Sequence, residues 1–151
     1  MESRHRLPRL CFRLTTAATL LGVILRGKHS PGNYGIVDRA IGYMETNYPK
    51  PLTVARIANA MGLEQSYLSV LFKSRTGLSP YKYLTRLRVQ KACWLLQTGQ
   101  MSISEVADHV GLDSHNFARI FKRELGISPT VYCASMVYGT PLALPALIRE
   151  L

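Results

Sequence analysis

Hydrophobic and polar positions along this chain follow a helical period, and the pattern is written twice. Between residues 36 and 48, Val37, Ala40, Ile41, Met44 and Tyr48 recur every three or four positions, the spacing of one apolar stripe on an amphipathic helix. Pro49 and Pro51 end it, because proline lacks an amide hydrogen and its ring clashes with the preceding turn. Two shorter periodic stretches follow. Thr53 is a good N-cap for a helix to about residue 60, and Gly62 allows the left-handed backbone of a tight turn. A second helix beginning near Glu64 collects Leu68, Leu71 and Phe72 on one face. Gly77 closes it, and Ser79-Pro80 starts another helix that runs to about Gln97. At ~1.5 Å per residue this last helix spans on the order of 28 Å.

Residues 52–84, shifted by 49, fall on 101–133 without a gap, and nine of the 33 positions are identical. Among the identities are Gly62/Gly111, Phe72/Phe121, Lys73/Lys122, Gly77/Gly126 and Tyr83/Tyr132. The second unit parses as the first does. Ser102-Ile103-Ser104-Glu105 is a capping box, a short helix runs to about 109, and Gly111 makes the turn. A helix from near Asp113 then buries Phe117, Ile120 and Phe121 and ends at Gly126. The expected fold class is all-α: two helix-turn-helix subdomains, about 52–76 and 101–125, joined by a long helix over about 79–97.

Three regions follow: 1–33, 34–138 and a tail, 139–151, with two prolines and no assignable role. Residues 1–33 hold a basic arm and an apolar stretch, Leu14–Leu25, and His29–Gly35 has the composition of a linker. The apolar stretch follows four arginines, as in a signal peptide, but no small-residue cleavage site follows it. It is also shorter than the roughly 20 residues a membrane span needs. It therefore reads as a helix that packs on another surface, including that of a second copy, and no membrane partner is expected.

The formal charge is +10, from 19 basic and 9 acidic residues, which favours polyanionic partners. Half of that excess lies in residues 1–33, with six basic and one acidic residue. Cys11, Cys93 and Cys133 are odd in number and widely spaced, so ordinary buried thiols in a reducing cytoplasm fit better than disulfides or zinc. His5, His29, His109 and His115 lack ligand spacing. No metal, cofactor or catalytic site is expected. Asp113-Ser114-His115 are adjacent on one helix and point apart, which excludes a triad. Phe72, Phe121, Trp94, Tyr83 and Tyr132 read as core. Lys82, Arg86, Arg88 and Lys91 on the joining helix either track phosphates or form a solvated face.

A helix, a sharp glycine turn and a second helix form the plan whose second helix enters the DNA major groove. With one face buried, each second helix leaves a polar face free. That face carries Gln65, Ser66, Ser69 and Lys73 in the first unit and Ser114, His115, Arg119 and Lys122 in the second. Short hydrogen-bonding groups suit base edges, and cations suit phosphates or guanine. The competing role for Arg119 is a surface ion pair with Asp113 or Glu124, and His115 competes as a plain exposed histidine.

These residues also carry a family resemblance. FARIFKRELGISPTVY, Phe117–Tyr132, resembles the signature of the AraC/XylS transcriptional regulators, and YLSVLFKSRTGLSPYKYL is similar to that family's first helix-turn-helix. The resemblance covers about residues 36–135. It implies a sequence-specific double-stranded DNA-binding domain of a bacterial transcription regulator, usually an activator that touches RNA polymerase. It further implies base contacts at Ser66, Ser69, Val70, Ser114, His115 and Arg119, with Lys73 and Lys122 on the backbone. Val70 stands where a long polar residue is common, and so points to thymine methyls or to shape. Cys133 stands where a basic residue is frequent. A ligand-sensing domain often precedes the linker in the family, whereas here 33 residues do, so no small-molecule effector is expected in this chain. The rival reading is an interaction module without a sensor, pairing through Leu14–Leu25 with a full-length regulator. No sequence feature supports an enzyme.

Overall fold

A computed structural model describes residues 34–137; the Leu14–Leu25 stretch, Cys11 and the 139–151 tail lie outside the described residues. The described residues form seven helices and no strand. They are α1 (Tyr34–Asn47), α2 (Val54–Met61), α3 (Gln65–Thr76), α4 (Pro80–Thr98), α5 (Ile103–His109), α6 (Ser114–Leu125) and α7 (Pro129–Val137). The class is the all-α one expected from the periodicity.

Local chemistry explains most of the boundaries. The Thr53 hydroxyl accepts from the Arg56 amide at 3.2 Å at the start of α2. Ser102 and Glu105 form the reciprocal capping box of α5, at 2.7 and 3.3 Å. Each satisfies a backbone donor that the helix start leaves unpaired. Glu64 and Asp113 cap α3 and α6 with their carboxylates. Ser79 caps α4, with Pro80 in the first turn. Gly62 and Gly111 both sit at φ +71°, a region that side chains bearing a Cβ resist.

The helices enclose two cores that share α4. One gathers Val37, Ala40 and Met44 of α1, Ile57 and Ala58 of α2, Leu68, Leu71 and Phe72 of α3, and Tyr83, Leu84 and Leu87 of α4. The other gathers Val89, Ala92, Cys93 and Leu96 of α4 with Val106 and Ala107, Phe117, Ile120 and Phe121, and Tyr132. Phe72 meets Tyr83 edge-on at 5.3 Å, and Phe121 meets Tyr132 in the same way at 5.5 Å. The repeat therefore extends to matched aromatic pairs that seat each second helix on the helix after it.

Burial acts on two polar groups of the second core. It pushes the Cys93 thiol up to about 12. It also pushes Tyr132 up to about 12, against the hydrogen bond that Gln97 donates to its phenol oxygen at 2.8 Å. Cys93 is the buried thiol expected of it, and Cys133 is half-buried.

Two expectations about α4 change. Trp94 is 55% exposed and lies outside both cores, because Cys93 and Leu96 already fill the inward row on either side of it. The basic run is largely turned inward. Arg86 is only 8% exposed. Its Nε donates to Glu124 at 3.4 Å, and Lys82 Nζ reaches the same carboxylate at 2.9 Å. Arg88 donates to the Tyr48 carbonyl oxygen at 2.9 Å and to that of Lys50 at 2.8 Å. Lys91 is half-buried. Three of the four cations thus hold the fold together instead of lying on a solvated face.

Candidate nucleic-acid interface

The two second helices, α3 and α6, are braced from behind by α2 and α5 and by α4. Each buries one row: Leu68, Leu71 and Phe72 in α3, Phe117, Ile120 and Phe121 in α6. At 3.6 residues per turn, the stripe opposite that row is Ser66, Val70 and Lys73 in α3 and His115, Arg119 and Lys122 in α6. All six are exposed. The pairs match at the repeat spacing, so each unit presents the same three places, with a lysine in common at the third and different chemistry at the other two. Gln65 and Ser114 are exposed at the first turn, three residues from Leu68 and Phe117 and hence beside the buried row. Ser69 is half-buried on the flank of its stripe.

The faces differ in what they offer. In α3 the Ser66 hydroxyl donates to the Glu64 carboxylate, and the Ser69 hydroxyl donates to the Gln65 carbonyl oxygen at 2.8 Å. Their hydrogens are engaged within the helix, so both oxygens act toward a ligand as acceptors. The same serine hydroxyl, followed by the Ser66 and Tyr67 amides, holds the Glu64 carboxyl below the ordinary carboxylate range. Val70, 70% exposed, and Tyr67, 48% exposed, make this face partly apolar. Lys73 is exposed and supplies the cation.

The α6 face is cationic and its key side chain is supported. Arg119 Nη2 donates to Asn116 Oδ1 at 2.7 Å, and Asn116 Nδ2 donates to Asp113 Oδ2 at 2.8 Å. Asp113 Oδ1 accepts the His115 amide at 3.1 Å. The N-cap carboxylate thus anchors a short chain that ends on the guanidinium and leaves most of its donors outward. Arg119 pairs with neither of the carboxylates considered for it, since Glu124 is occupied by Lys82, Arg86 and Arg123. The side chains of His115 and Lys122 make no hydrogen bond or ion pair within the described residues.

Asn116 and Tyr67 were not singled out from the sequence. Asp113, Asn116 and Arg119 stand at successive three-residue steps, the spacing at which helix side chains meet. Tyr67 is the first-unit counterpart of Asn116. Among the described residues no group of histidine, cysteine or carboxylate side chains could hold a metal ion. No described helix is long and apolar enough to cross a membrane.

Two braced helices with exposed polar stripes, built to one plan on one chain, define a protein of the helix-turn-helix DNA-binding class. Residues 57–135 match the model of a helix-turn-helix domain family. The chain belongs to the AraC/XylS family of transcriptional regulators. It resembles the C-terminal domain of AraT, a response regulator from Geobacillus stearothermophilus, with 33% identity and a TM-score of 0.66 over 72% of this chain and 88% of that one. It also resembles the DNA-binding domain of AdpA, solved in complex with a target DNA, with 26% identity and a TM-score of 0.66 over 71% and 97%. Over 60 residues it is 38% identical to the lactose operon transcription activator of Staphylococcus xylosus, 40% of this chain and 22% of that protein. The chain thus spans less than a quarter of that relative.

Proposed function

We propose that this chain reads double-stranded DNA in a sequence-specific way, with α3 and α6 in successive major-groove segments, and regulates transcription from that position. The observation that carries this reading is the doubled exposed stripe, with Arg119 held ready by Asn116. Residues 34–138 are the DNA-binding domain. Arg119 and His115 read base edges, Ser114 and Gln65 serve the first turn, and Lys73 and Lys122 neutralise phosphates. Ser66 and Ser69 accept hydrogen bonds from bases, and Val70 meets a thymine methyl. The likeness to the DNA complex of AdpA and to an operon activator supports the reading. Activation through RNA polymerase in the cytoplasm follows as the mode of action.

The test is selection of a randomised duplex library on the purified protein at near-physiological salt, followed by sequencing. Two half-motifs about one helical turn apart, roughly 34–36 Å, are the expected result. Absence of enrichment, with binding that disappears as salt rises, would replace this reading with general polyanion binding.

A further inference from the structure

Among the described residues the two cores share α4 alone as a common helix, and a long helix is rarely straight. Lateral ties therefore decide whether α3 and α6 move as one body. The 48–50 turn after α1 provides such a tie. The Tyr48 side chain packs against both cores. Arg88, on α4, spans the Tyr48 and Lys50 carbonyl oxygens with Nε and Nη2, at 2.9 and 2.8 Å. Two donors of one rigid fork thereby fix the turn in both position and direction. The glycine turn of the second unit rests on the same segment: a Cβ on Gly111 would lie 2.3 Å from the Pro49 carbonyl oxygen. Gly62, the matching glycine of the first unit, has nothing among the described residues within 4 Å of a Cβ. The close approach is thus a property of the contact and not of the repeat. A second tie lies on the other side of α4. Arg86 is two residues from Arg88 and so roughly 200° around the helix. With Lys82 it holds Glu124 near the end of α6.

We propose that Arg88 is a positioning residue for DNA reading. By gripping the 48–50 turn, against which the Gly111 turn is seated, it holds α3 and α6 at one separation. It thereby restricts the chain to DNA sites of one half-site spacing. This rests on α3 and α6 being the reading helices, and the ligand it selects is a duplex with two half-motifs at a fixed offset. Two base pairs inserted between them displace the second by about 7 Å and rotate it by about 70°, more than a tied pair of helices accommodates.

The experiment has two arms, both on the full chain. In the first, the parent and Arg88→Met, which keeps the apolar stem and removes both donors, are titrated with the selected duplex. The same titration uses duplexes with one or two base pairs inserted and a duplex carrying one half-motif. The parent is expected to lose about tenfold or more on insertion of two base pairs, and Arg88→Met to lose within about threefold. Affinity for the single half-motif is expected to stay within about twofold. Arg88→Lys, which retains charge but bridges one carbonyl at a time, falls between. In the second arm, spin labels on Ser74→Cys and Ala118→Cys, with Cys11 and Cys133 changed to Ser, report the α3–α6 distance without DNA. One narrow distribution is expected, broadened by Arg88→Met and by Arg88→Lys in the same order. An unchanged distribution, or an unchanged spacing penalty in a parent that binds specifically, overturns the role of Arg88. A broadened distribution in a chain that selects no site sustains the tie and overturns the proposed function instead.

Discussion

Arg119 and Asn116 are joined on the exposed face of α6, with the guanidinium donating to Asn116 Oδ1 at 2.7 Å. An exposed arginine carries about 2 kcal/mol of rotamer entropy, and a partner one turn back restrains part of it before DNA arrives. Arg119→Ala should weaken specific binding by about 1–3 kcal/mol and relax selectivity at one base pair. Asn116→Ala, which removes the restraint and the hydrogen bond to Asp113 but keeps the guanidinium, should cost about 0.5–1.5 kcal/mol in specific binding. Titration of specific and scrambled duplexes checks both. Equal losses on the two duplexes would make Arg119 a phosphate contact.

Gly62 and Gly111 share φ +71° but not their surroundings. Gly62→Ala should cost about 1–2 kcal/mol, the strain of a left-handed alanine. Gly111→Ala carries that strain and also drives a methyl against the Pro49 carbonyl oxygen at 2.3 Å. It should cost several kcal/mol more, or leave the second unit unfolded at room temperature. Urea unfolding of the two variants side by side tests the difference, and equal costs would contradict the close approach at Pro49.

Glu124 gives the fold a defined acid limb. Burial works to raise its carboxyl, but hydrogen bonds and charge from Lys82 and Arg123 hold it below the ordinary value of 4.5. The unfolded chain therefore binds a proton here before the folded chain does. The stability contributed is complete above about 4.5 and lost as pH falls through the lowered folded value. Glu124→Gln should cost about 1–3 kcal/mol at neutral pH, less than breaking a fully buried pair. The reason is that two of its three partners, Lys82 and Arg123, are 37% and 51% exposed and can turn to water, while the amide oxygen of glutamine can still accept from the buried Arg86. The variant's stability should also fall less steeply below pH 4.5 than the parent's. Denaturant midpoints across that range measure it.

The alkaline limb has the opposite sign. Cys93 is pushed up to about 12 from 9.0 by burial beside Val89, Ala92 and Tyr132. The folded chain keeps this proton after the unfolded chain has lost it. The contribution is thus complete below pH 9 and declines as pH rises toward 12. Cys93→Ala should start less stable, through the small cavity it leaves, and should lose less between pH 9 and 11. Thermal melts over that interval decide the matter, and parallel slopes would remove Cys93 as the cause.

The described helices, the doubled unit and the buried row of each second helix were legible in the order of residues alone. Those features are set by local physics. A capping hydroxyl, a left-handed glycine and a three-to-four residue period act within one or two turns, so they are visible in a short window. The Asp113, Asn116 and Arg119 ladder has the same local spacing, but Asn116 was not singled out from it. The places of Trp94, Arg86 and Arg88 emerge only once the helices pack together. Helical periodicity says that a side chain faces away from one row, but not whether another element waits there. Arg86 meets Glu124 38 positions away, and Arg88 meets the Tyr48 carbonyl 40 positions away. Both pairings exist only because folding brings the 48–50 turn and the end of α6 against opposite sides of one helix. Cations that local chemistry leaves free are thereby committed to contacts that hold the fold together.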